Sequence, residues 1–181
     1  MTRLILTIER SEDGALLRKL AARLGIQVEE VGVEAMPDDE FWQLIDLVDL
    51  ASSDSIDAIV RALSTRGSSS ILAFQQTLAQ KLYALDKREY AEAINGERFS
   101  ADHFLDQRAY VVARGREFYA AFLAHQIVPT ENDSYESLLD VASAAWENLT
   151  GEALTQLPSV SYFTYSNPGG RERTLSSYLC A

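Results

Sequence analysis

The sequence predicts a mainly helical fold: a helical bundle over residues 38–157, preceded by a small β-α-β unit over residues 1–35. A C-terminal strand and tail, residues 158–181, can complete the small sheet. Three observations predict this. Apolar residues recur with a period near 3.6 between Pro37 and Gly151. By contrast "RLILTIE", "IQVEEVGV" and "VSYFTYS" are β-branched or alternating, as strands are. A chain of 181 residues, 47% of them hydrophobic, is also long enough to bury one well-formed core.

In chain order, "RLILTIE" is the first expected strand. Ser11 caps the helix that follows, with Glu12 and Asp13 at its positive end and Leu16, Leu17, Leu20 and Leu24 as its buried stripe. Gly25 stops it, and "IQVEEVGV" reads as a second strand. Two strands and a helix cannot bury both faces of a sheet, so the unit needs another strand or a partner chain. Asp38 or Asp39 then caps a helix carrying Phe41, Trp42, Leu44, Ile45 and Val48. A second helix holds Ile56, Ile59, Val60 and Leu63 and breaks at Gly67. A third carries Ile71, Phe74, Leu78, Leu82 and Leu85, and a short one from Arg88 to Ile94 ends at an Asn-Gly turn. Ser100 caps a long helix over "HFLDQRAYVVARGREFYAAFL", which "VPTEND" ends. Tyr135, Leu138, Leu139, Ala142, Trp146 and Leu149 form the last stripe, stopped by Gly151.

The charge is strongly negative, −11 in formal terms, which argues against nucleic acid and anionic membrane surfaces as partners. It is also segregated. Met36 to Val60 holds seven acidic residues and no Lys or Arg, and Gln126 to Pro158 holds six more, again without a basic residue. No apolar run approaches the roughly 18 residues of a membrane span, and the N-terminus has a basic residue but only a five-residue apolar run before charges appear, too short for a signal peptide. The single cysteine, Cys180, cannot form an internal disulfide, so a reducing cytoplasm is the expected compartment.

The long helix contains an oddity. On a 100° wheel Phe104, Val111, Phe118 and Phe122 share one arc, and Arg108 falls within about 40° of Phe104, inside that arc. A guanidinium stays charged, and burying it unpaired would be costly, so it needs a carboxylate, carbonyls or a bound anion. Asp102, Asp106, Asp46 and Glu117 are the expected partners within the chain. The alternative is a small ligand-binding or enzymatic domain with an anion pocket built around Arg108, Arg114, Glu117 and Tyr119. Gly115, read as mid-helix, suggests close approach of another backbone. His103 and His125 lack the spacing of a metal site, and no phosphate loop, nucleophile elbow or dinucleotide fingerprint occurs. The sequence therefore offers no catalytic residue, metal ligand or cofactor site.

Taken together, "FWQLIDLV", "FSADHFLDQRAYVVARGREFY" and "ESLLDVASAAWENLTGEAL" resemble the bacterial family catalogued as domain of unknown function 4240, over about residues 38–157. Phe41, Trp42, Asp102, Phe104, Arg108, Gly115, Arg116, Glu117, Tyr119 and Gly151 stand where that family's pattern has them. Gln107 replaces the usual aromatic residue, and Tyr110 and Ala113 also depart from the common form. The resemblance implies a helical bacterial domain and no particular activity. The first 33 residues are similar to the N-termini of short antitoxin-like proteins, which implies an association module.

These readings converge on a non-enzymatic cytoplasmic interaction domain, immunity- or antitoxin-like, that binds a basic protein. The contacts expected are Asp46, Asp49, Glu136, Asp140 and Glu147, on the polar faces of the 38–50 and 134–149 helices. A homodimer through strand pairing is invited by the under-sized N-terminal sheet.

Overall fold

A computed structural model describes residues 17, 19–24, 26, 33–52, 55–97 and 99–170. The chain divides into two compact units, one of Met1–Gly32 with Thr155–Leu157 and one of Val33–Leu154 with Pro158–Ala181. In the first unit the described residues 19–23 are helical. Leu17, Leu20 and Leu24, expected on the buried stripe of that helix, are exposed, and Ala21 is buried. The strand expected at "RLILTIE" and most of "IQVEEVGV" lie outside the described residues.

The second unit is helical. Its elements are α1 (Asp38–Ile45), α2 (Asp57–Arg66), α3 (Ser68–Ala84), α4 (Arg88–Asn95), α5 (Ala101–Ala113), α6 (Arg116–Leu123) and α7 (Ser137–Thr150), with a short 3-10 turn at Pro168–Gly170. No strand occurs among the described residues, and no described helix is long and apolar enough to cross a membrane. At the centre is α3, which packs on α1, α2, α5 and α7. It is correspondingly buried on more than one side, through Ile71, Phe74, Leu78, Ala79 and Leu82 and also through Gln76 and Thr77. Phe41, Trp42 and Ile45 from α1, Ile59 and Leu63 from α2, Phe104 and Val111 from α5, and Leu138 and Val141 from α7 complete the core. Phe41 stacks on Phe74, with ring centroids 5.2 Å apart, and sets its edge toward Trp42.

Several expected boundaries are where the sequence places them, and others move for identifiable reasons. The Ser100 hydroxyl accepts the His103 N–H at the start of α5, as a cap should. Gly151 ends α7 in the left-handed conformation. Pro37, not Asp38 or Asp39, precedes the first turn of α1, and the two aspartates sit inside that turn with Glu40. The continuous helix expected from His103 to Leu123 is two helices. Gly115 lies between them with φ +88° and ψ 176°, a region that only glycine occupies readily. A Cβ built on Gly115 would meet nothing closer than the Asp46 carboxylate, at 3.7 Å. Backbone conformation, and not close packing, is therefore what demands the glycine.

"VSYFTYS" is not a strand either. Residues 158–170 form an irregular strap along the second unit. Three of its backbone amides are satisfied by side chains of the domain in place of a neighbouring strand: Ser159 N–H donates to Gln76, and the N–H groups of Tyr165 and Asn167 donate to Asp86. Tyr165 has φ +74°, which breaks any extended run.

Candidate functional site

The apolar arc of α5 carries Arg108 inward, and its side chain is completely buried. Its surroundings explain how. At the C-terminal end of α3 the last carbonyls carry the negative end of the helix dipole, and Leu82 O and Tyr83 O take only the tight closing N–H bonds of Leu85 and Asp86, which leaves room for further donors. Arg108 Nη1 donates to Leu82 O at 2.9 Å, the Tyr119 hydroxyl donates to Lys81 O at 3.2 Å, and the Asn167 side-chain amide donates to Tyr83 O at 3.1 Å. Three side chains from three parts of the chain thus finish one helix. Arg108 Nη2 donates to Thr164 Oγ1 at 2.9 Å, and that hydroxyl donates in turn to Ala101 O at 2.6 Å. The guanidinium also lies over the Phe104 ring, 5.0 Å from its centroid.

The carboxylate that accompanies Arg108 is Asp86, buried at the α3–α4 junction, with Oδ1 4.0 Å from Nη1. Asp102, Asp106, Asp46 and Glu117, the partners expected from sequence, are not paired with it. Asp86 Oδ1 accepts the Tyr165 N–H at 3.1 Å and Oδ2 accepts the Asn167 N–H at 2.9 Å. Burial pulls the Arg108 guanidinium down to about 10, and Asp86 opposes that shift, so the group is still charged at neutral pH. Nε is buried with no hydrogen-bond partner among the described residues. Asp86 and Thr164 escaped the sequence reading because neither sits on a helical stripe. The one available signal was "NPGG", legible as a turn but not as something that docks.

The residues grouped with Arg108 in the expected anion pocket are dispersed. Arg114 is exposed and donates to the Tyr110 hydroxyl, with its guanidinium 4.8 Å from the Phe118 ring centroid. Glu117 is exposed. Tyr119 is buried, which raises its hydroxyl well above the usual tyrosine range. A cavity of about 530 Å³ does lie beside this centre. Lys87, Arg88, Phe99 and Phe104 line one side, and Thr164 and Tyr165 of the strap line another; none of Arg108, Arg114, Glu117 and Tyr119 lines it. A shallower one of about 270 Å³ is lined by Asn95, Ser100, His103 and Glu131. Beneath it the amides of Asn95 and Gln107 exchange two hydrogen bonds, so Gln107 is buried and satisfied in a reciprocal pair.

The acidic residues divide into two groups. Asp38, Asp39 and Glu40, in the first turn of α1, are each met by a cation from another helix: Lys81 at 2.8 Å, Arg116 at 2.5 Å and Arg66 at 2.7 Å. Asp46, Asp49, Glu136, Asp140 and Glu147 are exposed and form no ion pair among the described residues. Along α7 and its N-cap, Glu136, Asp140, Ser143 and Glu147 fall within about 60° of arc, opposite the buried Leu138, Val141, Ala142 and Ala145. Asp106, half-buried on α5, adds to the charge near the start of α7. Its carboxyl is raised by partial burial first and by Glu136 next, with His103 opposing.

A family model described as a protein of unknown function, DUF4240, matches residues 36–149. The match begins after the first unit, so it gives no support to an antitoxin-like N-terminal module. No curated protein and no solved structure matches the chain.

Proposed function

The chain belongs to the DUF4240 family of proteins of unknown function, and on that premise we propose that it is a non-enzymatic interaction domain that binds a basic protein through its acidic helical faces. One observation carries this reading. The carboxylates of α1's first turn are neutralised from within the chain, whereas the row of Glu136, Asp140 and Glu147 along α7 forms no ion pair among the described residues. Like charges held together on a rigid helix lower the stability of the folded protein, and a cationic surface brought against them relieves that repulsion and speeds encounter. Asp46 and Asp49, beyond the end of α1, are the second contact set. An immunity- or antitoxin-type role is the form of this activity in which the basic partner is a toxin met in the cytoplasm, and a toxin gene beside this one is the observation that selects it.

The test is affinity capture from the native host with the wild-type chain and with the Glu136→Lys/Asp140→Lys/Glu147→Lys variant, followed by association kinetics on the purified partner. The expected partner is basic, is lost on charge reversal, and associates roughly tenfold or more slowly as salt is raised from low to physiological ionic strength. An association rate indifferent to both salt and reversal overturns the reading.

A further inference from the structure

We infer that the seat of residues 158–170 is a peptide-binding site of the family domain, held in this chain by its own strap as a resident ligand. The receptor side lies entirely within the family-matched segment: Gln76, Tyr83, Asp86, Ala101 and Arg108. The ligand side lies beyond it. Nearly every polar contact between the two is of the kind by which a protein reads a peptide. Gln76 takes the Ser159 N–H at 2.8 Å and donates to its hydroxyl, and the Asp86 carboxylate takes two N–H groups two residues apart. Arg108 and Ala101 O bracket the Thr164 hydroxyl, and Tyr83 O takes the Asn167 amide. Gly170 is a shape requirement, since a Cβ there would stand 2.2 Å from Asp86 O.

The strap is held by these polar groups and only lightly by apolar burial. Of its three large aromatics, Phe163 and Tyr165 are 66% and 51% exposed, and only Tyr162 packs, partly buried, against the core. A segment that buries little apolar surface opens at low cost, independently of the core. Nor does the strap fill its seat: the 530 Å³ cavity remains between it and α4, and Arg108 Nε has no acceptor among the described residues. The ligand class is therefore a peptide that offers a Ser or Thr hydroxyl to Arg108, main-chain N–H groups at the next residue and two further on to Asp86, and a glycine after the turn. This inference does not rest on the acidic faces, and either can fail alone.

The test uses the full chain with a loosened strap, Thr164→Val/Gly170→Ala, which leaves every receptor residue in place. The probe is a fluorescently labelled synthetic peptide of residues 158–170, amidated at its C-terminus. The peptide is expected to bind the loosened chain saturably and at least tenfold more tightly than the intact chain, whose own strap competes. A peptide carrying Thr164→Val or Gly170→Ala is expected to lose that binding. Absence of saturable binding to a loosened chain that still melts cooperatively overturns the inference, as does binding that both altered peptides retain. If the loosened chain does not fold, hydrogen exchange of the wild-type chain decides. Tyr165 and Asn167 amides exchanging at least tenfold faster than the core amides of α3 and α5 support a separable ligand; exchange at the core rate shows a strap inseparable from the core and overturns it.

Discussion

At the scale of a residue, Arg108 shows what a buried cation requires. A lone guanidinium in an apolar interior costs several kcal/mol, and a single carboxylate at 4.0 Å does not by itself offset that. Here the charge is spread over a helix-end carbonyl, a hydroxyl, an aromatic face and Asp86. Replacing it takes the side-chain donor from Leu82 O and leaves the buried Asp86 carboxylate without its countercharge. Arg108→Met is therefore expected to cost about 3–5 kcal/mol, on the order of 10 °C in melting temperature. Removing Asp86 as well does not restore the loss, because the Tyr165 and Asn167 amides then lack their acceptor. Thermal unfolding of the two single variants and the double variant measures both effects. A double variant as stable as wild type would show the pair to be dispensable.

At the scale of an element, the break between α5 and α6 sets where two faces point. Gly115 turns the chain so that Arg108 on α5 and Tyr119 on α6 both reach the end of α3. Its φ and ψ fall where other residues are strained by roughly 1–3 kcal/mol, although nothing crowds the position. Gly115→Ala is expected to cost about that much in denaturant unfolding. Gly151, in the ordinary left-handed region, should accept Asn for less than about 1 kcal/mol. Equal costs at the two glycines would mean that conformation is not what distinguishes them.

For the whole molecule, the excess of negative charge is the main long-range force, and Asp106 reports it. Partial burial and Glu136 hold its folded-state pKa above the unfolded value, so its charged form is disfavoured by folding. That penalty is fully present at neutral pH, shrinks as pH falls through the raised folded value, and is gone below the unfolded value. Asp106→Asn is expected to raise the melting temperature by about 1–2 °C at pH 7, small because the carboxylate keeps much of its water. The difference should vanish near pH 3.5. A gain that persists at that pH would place its origin in packing, not charge.

The sequence by itself determined the helical core, because the 3.6-residue stripes of α1, α2, α3, α5 and α7 are local patterns that each need burial and can only find it against one another. It also determined that Arg108 is buried, since its angular position on α5 depends on nothing outside that helix. What answers the arginine was not legible. Asp86 and Thr164 lie 22 and 56 residues away along the chain, in segments without periodicity, and no local rule joins them. Nor could alternation in "VSYFTYS" tell a strand from a strap: both are extended stretches of mixed side chains, and the difference lies in where the backbone N–H groups find acceptors. Only the tertiary structure, by bringing Asp86 and Gln76 beneath those amides, decided it.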